Sequence, residues 1–379
     1  MAKLGEVCEV SPSTKNIERQ GAWLLNLDMV EQQTGRVIEY KYVGEDDLNG
    51  SIIQFDTENV LYSKLRPNLN KVVLPPKDGF STSELLPLRP DASVLNKDYL
   101  AAFLRSDSFV TWAVSKTAGA KMPRLGTKDL MNAEIPVPSI EQQKKIAEKF
   151  KKLEQLISLR KQQLAKLDEL VKARFVEMFG EPVQNPNCWK TENLLDLGYC
   201  KNGMNFHRDD CGTEIHCLGV GDFKNHSTIR DVGSLPFISL NELPTSEYLL
   251  QDGDIVFVRS NGNKELVGRC LAIYPAKIPV TYSGFCIRYR LTSNKITVSY
   301  LLRVLKADSV RKKMTGRGAN IQNLNQQILA QLVVPIPPLS LQNQFAAFVE
   351  RVDQQKQTVQ QGLEKLELMK KALMQEYFG

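Results

Sequence analysis

Basic and amide side chains cluster at two places in this chain, each at the end of an apolar run of strand character. One cluster ends the alternating stretch NVLYSKL (residues 59–65), and the other follows DIVFV (254–258). Their members are Lys64, Arg66, Asn68, Asn70 and Lys71 in the first, and Arg259, Ser260, Asn261, Asn263 and Lys264 in the second. Arginine and lysine suit guanine edges and phosphates, and asparagine suits adenine edges. These residue types suit DNA contact, but for either cluster alone a solvated loop rich in turn-forming asparagine is the favoured interpretation.

The two clusters occupy equivalent places because the chain repeats itself. Residues 122–180 align without a gap with residues 321–379, and the matched pairs include Gln143 with Gln342 and Gly180 with Gly379. A repeat of two units is too short for a solenoid. It indicates a molecule with two equivalent halves.

The preceding globular segments repeat more loosely. Residues 254–263 match 59–68, residues 280–290 match 80–89, and residues 318–324 match 119–125. Because both halves carry the polar cluster at the same place, we favour DNA contact over a solvated loop. The predicted DNA-contacting set therefore also takes residues in or beside these matched segments: Ser83, Lys121 and Arg124 in the first half, and Tyr282, Arg317 and Asn320 in the second.

Two long helices must position these clusters. Residues 141–179 contain no proline or glycine, Ser139 and Gln142 form a capping-box pattern, and Gly180 is placed to end the helix. A second helix is predicted at 340–378. Apolar residues recur at heptad spacing in both helices. Arg160 and Arg174 interrupt this seam in the first helix, and Lys356 and Lys370 interrupt it in the second. The seam residues are Ile146, Phe150, Leu153, Ile157, Leu164, Leu167, Val171 and Met178 in the first helix, and Phe345, Val349, Val352, Val359, Leu363, Leu366, Leu373 and Tyr377 in the second.

Each predicted helix of about 39 residues would be roughly 58 Å long. A lone amphipathic helix of this length would leave an apolar stripe in water, so an antiparallel pair is the economical arrangement. A helical hairpin that only holds two domains together is the alternative. Residues 1–120 contain mostly short strands and turns, with helical spacing at 99–114. The predicted fold class is α+β, with two mixed domains in pseudo-two-fold arrangement, separated by two long antiparallel coiled-coil helices.

Bulk properties exclude several classes. The 379 residues carry a formal net charge of +6, which permits a polyanionic partner without requiring one. No apolar run long enough to span a membrane occurs, and the first ten residues do not resemble a signal peptide. Seven cysteines without a CxxC pair suggest reduced thiols and a cytoplasmic location.

Catalytic patterns are missing from the sequence. Neither LPPKDG nor NPNCW supplies the Asn/Asp-Pro-Pro-aromatic loop of adenine methyltransferases, and no GxGxxG or Walker A loop occurs. Three histidines, His207, His216 and His226, lie near Cys200, Cys211 and Cys217, but their spacing fits no common zinc site. Asp252 and Asp254 flank Gly253, where a turn explains them better than catalysis. We expect no catalytic residue and no bound metal.

The whole chain resembles specificity (S) subunits of bacterial type I restriction–modification systems. The resemblance rests on VLYSKLRPNLNKVVLPPKDGFSTSELLPLRP (60–90), Thr34-Gly35 with residues 39–44, the junction MFGEPVQNPNCW (178–189), and the helix entries IPVPSIEQQKKIA and VPIPPLSLQNQFA. It implies target-recognition domains at 1–140 and 181–339 and conserved spacer helices at 141–180 and 340–379. The segment from Arg259 to Lys264 departs from the Leu-Arg-Pro pattern of the first domain.

The resemblance also implies partners. Each recognition domain would bind one half of a bipartite double-stranded DNA target, while the helices would set the spacer and dock two methyltransferase (M) subunits. Restriction (R) subunits would join that core. The chain itself would hold no cofactor, since S-adenosylmethionine is expected on the methyltransferase partner. Alternatives are the specificity subunit of a fused type II restriction–methylation enzyme, or a DNA methyltransferase or nuclease with an unrecognised site.

Overall fold

The structure, a computed structural model, describes residues 1–15, 17–19, 21–48, 52–119, 121–206, 210–223, 227–315 and 323–379. The chain divides into two compact units. The first unit comprises residues 1–162 and 359–379, and the second comprises residues 163–358. Each unit mixes helices with sheets, as the predicted α+β class requires.

The first unit contains two four-stranded sheets, ordered β2-β9-β6-β7 and β4-β3-β8-β5, and a two-stranded sheet β1-β10. The strand bounds are β1 Ala2–Lys3, β2 Cys8–Val10, β3 Ala22–Leu25, β4 Lys41–Val43, β5 Ile52–Phe55, β6 Val60–Ser63, β7 Val72–Val73, β8 Gly79–Thr82, β9 Leu85–Pro90 and β10 Glu134–Ile135. Strands β3 and β8 pair in parallel and the other pairs are antiparallel.

Short helices cover one of these sheets. They are α1 Leu4–Val7, α2 Lys97–Leu104, α3 Asp107–Ser115 and α4 Thr127–Met131, with 3-10 turns at Leu27–Met29, Glu45–Leu48 and Pro67–Leu69. The core joins Tyr62 and Leu88 of the sheet to Leu100 of α2. The helical stretch predicted at 99–114 is two helices, because Ser106 caps α3 by accepting a hydrogen bond from the Phe109 N–H at 3.3 Å.

The second unit repeats this plan with a five-stranded sheet β12-β19-β16-β17-β14, a three-stranded sheet β15-β13-β18 and a two-stranded sheet β11-β20. The strand bounds are β11 Thr191–Asn193, β12 Gly198–Asn202, β13 Thr213–Leu218, β14 Thr228–Ile229, β15 Phe237–Leu240, β16 Asp254–Val258, β17 Cys270–Ile273, β18 Val280–Tyr282, β19 Cys286–Leu291 and β20 Val333–Pro335. The short helices are α6 Val298–Lys306, α7 Asp308–Thr315 and α8 Gln326–Ala330, with 3-10 turns at Leu194–Asp196, Val220–Phe223, Val232–Ser234, Ser246–Tyr248 and Lys264–Leu266.

Both predicted long helices are present, as α5 Ile140–Phe179 and α9 Leu339–Phe378. The capping box at the start of α5 is confirmed, because the Gln142 N–H donates to Ser139 Oγ and the Ser139 N–H donates to Gln142 Oε1, both at 3.3 Å. Gly180, with φ of 73°, ends α5 in the left-handed conformation that glycine adopts without strain.

Within each unit, segments of the two long helices contact each other in antiparallel order. In the first unit Phe150 stacks on Phe378, and Lys370 Nζ bonds Glu154 at 2.8 Å. In the second unit Lys356 bonds Asp168, and Phe175 packs against Phe345. Both lysines that interrupt the predicted seam are therefore ion-paired with the facing helix.

Two matched glutamines join the long helices to their units. Gln143 is fully buried, donates to the carbonyls of Val94 and Pro138, and accepts from the Asn96 N–H at 2.8 Å. Gln342, also fully buried, makes the same three bonds to Lys295, Pro337 and Thr297. The sequence repeat is thus a repeat of hydrogen-bonded structure as well.

Candidate nucleic-acid interface

In the first unit, three segments meet where strand β6 ends. The Lys64 N–H donates to the Glu84 carbonyl at 3.1 Å, and the Leu125 N–H donates to the Lys64 carbonyl at 2.9 Å. The Arg66 N–H donates to the Pro123 carbonyl at 2.8 Å. We call the surface formed by residues 64–68, 83–84 and 121–124 the first strand-end surface.

The second unit builds the same arrangement where strand β16 ends. The Arg259 N–H donates to the Phe285 carbonyl and the Leu324 N–H donates to the Arg259 carbonyl, both at 2.7 Å. Ser260 also forms a bridge with Asn323. We call the surface formed by residues 259–264, 283–285 and 323–324 the second strand-end surface.

Most of the residues predicted in the first unit lie on its strand-end surface. Arg66, Asn68, Lys121 and Arg124 are exposed, and Lys64 and Ser83 are half-buried. The Arg124 guanidinium donates to Glu84 Oε1 at 2.8 Å, which holds it at the edge of the surface. These side chains carry a local excess of positive charge, as DNA binding requires.

Three predicted contacts do not fit their positions. Asn70 is buried, and its side-chain amide donates to the Arg105 carbonyl at 3.0 Å. The Lys71 ammonium binds the Leu27 carbonyl, and burial lowers the pKa of this lysine. Tyr282 is fully buried, with its hydroxyl donating to the Lys201 carbonyl at 3.3 Å. The sequence pattern placed these side chains at a strand end, but packing turns each one inward.

The remaining residues of the second unit's predicted set vary in position. Arg259, Ser260 and Asn261 are half-buried on the second strand-end surface, and Asn263 and Lys264 are exposed. Both asparagines also shape the loop, because Asn261 Oδ1 accepts from the Asn263 N–H at 2.8 Å and Asn263 Oδ1 accepts from the Glu265 N–H at 3.0 Å. Arg317 and Asn320 lie outside the residues that the structure describes.

Two residues of the strand-end surfaces were missed by the sequence analysis. Phe285 is 61% exposed, and Glu84 takes the equivalent place in the first unit. An apolar side chain directly after Ser283-Gly284, between two strands, was the available signal, since such turn tips face solvent.

The structure describes only part of the candidate histidine and cysteine group. Within the described ranges, no three histidine, cysteine or acidic side chains group together as metal ligands. His216 Nδ1 lies 2.9 Å from the Leu235 carbonyl, and burial raises the pKa of Cys200 and Cys217 to about 12. His207 and His226 lie outside the described residues.

The paired aspartates are structural, as the turn interpretation predicts. Asp254 is buried and ion-paired with Arg290 at 2.7 Å. It also accepts from the Gln251 N–H at 2.7 Å, while Asp252 accepts from the Ala276 N–H at 2.8 Å. In the part of the chain that the structure describes, no helix has the length and apolar character needed to cross a membrane.

The family model for the type I restriction modification DNA specificity domain matches residues 1–169 and 214–368. The chain therefore belongs to this family. It is 30% identical over 288 residues to the specificity subunit of the type I restriction enzyme StySPI from Salmonella potsdam, a match that covers 70% of this chain and 60% of the Salmonella subunit. It is 24% identical over 318 residues to the MjaVIII specificity subunit of Methanocaldococcus jannaschii, covering 79% of this chain and 73% of that one.

Solved structures share the fold. The type I restriction–modification S subunit from M. genitalium aligns with a TM-score of 0.59 at 14% identity, covering 100% of this chain and 95% of that one. A chain from a structural study of type I system assembly and conformational transition aligns with a TM-score of 0.59 at 16% identity, covering 100% and 96%.

Proposed function

We propose that this chain is the DNA sequence-specificity subunit of a type I restriction–modification complex. Each unit would carry a target-recognition domain that binds one half-site of a bipartite target. The methyltransferase and restriction activities would belong to partner subunits, with S-adenosylmethionine bound by the methyltransferase partners. This chain would contribute sequence recognition and no catalysis.

One observation carries the proposal. The two strand-end surfaces are built from equivalent backbone hydrogen bonds, at Lys64 in one unit and Arg259 in the other, yet they present different side chains. A shared scaffold with different exposed groups is what the binding of two different half-sites requires, since base edges are distinguished by the hydrogen-bonding pattern of the side chains presented to them.

The paired long helices support the proposed binding of methyltransferase subunits. Each helix continues from one unit into the other, and each unit contains antiparallel contacts between the two. Their outward faces expose apolar side chains such as Leu159 and Leu368, at 58% and 69%. Exposed apolar residues on a long helix suit a protein partner, and we propose that two methyltransferase subunits dock there.

The proposal is tested by selecting double-stranded DNA from a random pool with the purified full chain, alone and with the methyltransferase subunits produced by the same host. We expect enrichment of two short fixed half-sites separated by an unread spacer. Enrichment of one contiguous site, or of no sequence, would contradict the proposal.

A methyl-transfer assay addresses catalysis separately. We expect no transfer from labelled S-adenosylmethionine to selected DNA by the chain alone, and transfer once methyltransferase subunits are added. Transfer by the chain alone would favour the alternative of a methyltransferase with an unrecognised site.

A further inference from the structure

Phe285 is one of the most exposed aromatic side chains among the described residues. It is 61% exposed, and among the described residues no other aromatic ring stacks on it. Burying a phenylalanine side chain would stabilise a fold by about 1.5–3 kcal/mol, so the fold gains little from this one where it stands. The ring stands on the second strand-end surface, where it is available to contact a binding partner.

The turn that presents Phe285 is firmly held. The Arg259 N–H donates to the Phe285 carbonyl at 2.7 Å, and the Cys286 N–H donates to the Ser283 carbonyl at 2.8 Å. Gly284 lies so close to the neighbouring segment that a Cβ added there would stand 2.0 Å from Asn205 Oδ1. The backbone that presents the exposed ring is thus held in place.

The equivalent position in the first unit carries a different chemistry. Glu84 accepts from Lys64 through its backbone as Phe285 accepts from Arg259, but its side chain binds Arg124 at 2.8 Å. One unit therefore presents an ion-paired arginine here, and the other presents an apolar ring. This position differs between the units in the manner expected of a specificity-determining residue.

We propose that Phe285 is such a residue, and that its ring contacts the C5 methyl group of a thymine in the major groove of the half-site bound by the second unit. Thymine alone among the four bases presents an apolar group in that groove. Neighbouring Arg259 and Asn261 carry the donors and acceptors that suit major-groove base edges. This inference rests on the proposed function, which it deepens by assigning one base contact to one side chain.

Replacement of thymine by deoxyuridine, which removes only the methyl group, tests the contact. Each thymine of the half-site bound by the second unit is replaced in turn, and the affinity of the full chain for each modified DNA is measured. We expect one replacement to weaken binding about three- to tenfold, as loss of one buried methyl group implies. The Phe285→Ala variant should bind thymine and uracil sites equally, with an affinity near that of the wild type for the uracil site.

Two further variants make the result specific. Phe285→Leu should retain part of the discrimination, because leucine keeps an apolar side chain at the turn. Phe237→Ala, which removes a phenylalanine that is 59% exposed on β15 of the same unit, should discriminate as the wild type does. Thermal unfolding of each variant confirms that the fold is intact.

The outcomes separate the two proposals. The wild-type chain could select a bipartite target and yet bind thymine and uracil equally at every position of the half-site bound by the second unit. That result would overturn the thymine contact alone. Equal discrimination by wild type and Phe285→Ala also overturns it. A Phe285-dependent increase in the fluorescence of 2-aminopurine, without discrimination between thymine and uracil, would overturn it as well. Such an increase indicates that the ring inserts between bases and does not contact a methyl group. A wild-type chain that selects no sequence overturns the proposed function and this inference with it.

Discussion

Arg66 is the exposed residue of the first unit on which base recognition depends most directly in our proposal. Its backbone is fixed by the bond to the Pro123 carbonyl, and its side chain is exposed on the first strand-end surface. Arginine can bond a guanine edge through two donors at once, which gives both affinity and discrimination.

Arg66→Ala should weaken binding to the selected target by about 1–3 kcal/mol and relax one half-site only. The measurement is competition binding against targets that carry single base changes. Lys151→Ala, which removes one exposed positive charge from α5, is the matched control and should leave base preference unchanged. Unchanged cognate affinity in the Arg66 variant would remove this residue from the recognition set.

The buried glutamines act on stability instead. Gln143→Leu would leave the Asn96 N–H and two carbonyl groups without their partners, and Gln342→Leu would do the same in the second unit. We expect each to lower the free energy of unfolding by about 1–3 kcal/mol, with the loss localised by hydrogen exchange to the unit concerned. Gln155→Leu, exposed on α5, should cost much less. An equal cost at all three positions would contradict this assignment.

At the scale of elements, Glu154 connects three of them in the first unit. This residue of α5 bonds Lys370 of α9 at 2.8 Å and Arg105, which follows α2, at 3.2 Å. Arg105 also donates to the Val72 carbonyl of β7 at 2.8 Å. The long helices are therefore joined to the domain by a partly buried charge network as well as by apolar contacts.

Glu154→Gln should lower the free energy of unfolding of the first unit by about 1–3 kcal/mol, because two cations lose their carboxylate. Glu148→Gln makes the same change at an exposed pair with Lys152 on the same helix, and should cost less than about 0.5 kcal/mol. Urea unfolding of both variants provides the comparison. Similar small losses would mean that the network adds nothing beyond an ordinary surface pair.

At the scale of the whole molecule, the sequence repeat predicts that the two proposed recognition domains act independently. Exchange of residues 1–120 for the equivalent segment of a family member should change one half-site and leave the other intact. Tyr99 and Phe103 should be retained, because they pack on Phe378 at the end of α9. Methylome sequencing of a host that carries the hybrid provides the measurement. Simultaneous loss of both half-sites in a folded hybrid argues against independent recognition.

The long helices make a second prediction at this scale. Insertion of four residues in both helices, after Gln162 and after Thr358, would add about 6 Å of helix and keep their mutual register. Since duplex DNA rises about 3.4 Å per base pair, the preferred spacer should lengthen by one or two base pairs, with both half-sites unchanged. An insertion in α5 alone, which breaks the register, is the control and should reduce activity. An original spacer retained at full activity would mean that the helices only hold the domains together.

Much of the architecture could be predicted from sequence because its signals are local. Heptad spacing predicts α5 and α9 to within a residue, and the capping pattern at Ser139 fixes where α5 begins. The alternating run at 59–65 contains strand β6, found at Val60–Ser63. The internal sequence repeat likewise indicates two equivalent halves.

Only the tertiary structure decided which side chains of the polar clusters face outward. Asn68 and Asn70 look alike in sequence, yet Asn68 is exposed and Asn70 is buried against the Arg105 carbonyl. The tertiary structure also decided the positions of Phe175 and Phe179. Both lie outside the predicted seam but pack against Tyr300. Sequence periodicity indicates which face of a helix or strand is buried. At the end of an element, however, the residue that a side chain contacts comes from a distant part of the chain, so the local pattern does not predict it. For that reason the sequence determined the helices and the repeat, and the fold determined the first strand-end surface, with Arg66 and Arg124, and the second, with Arg259 and Phe285.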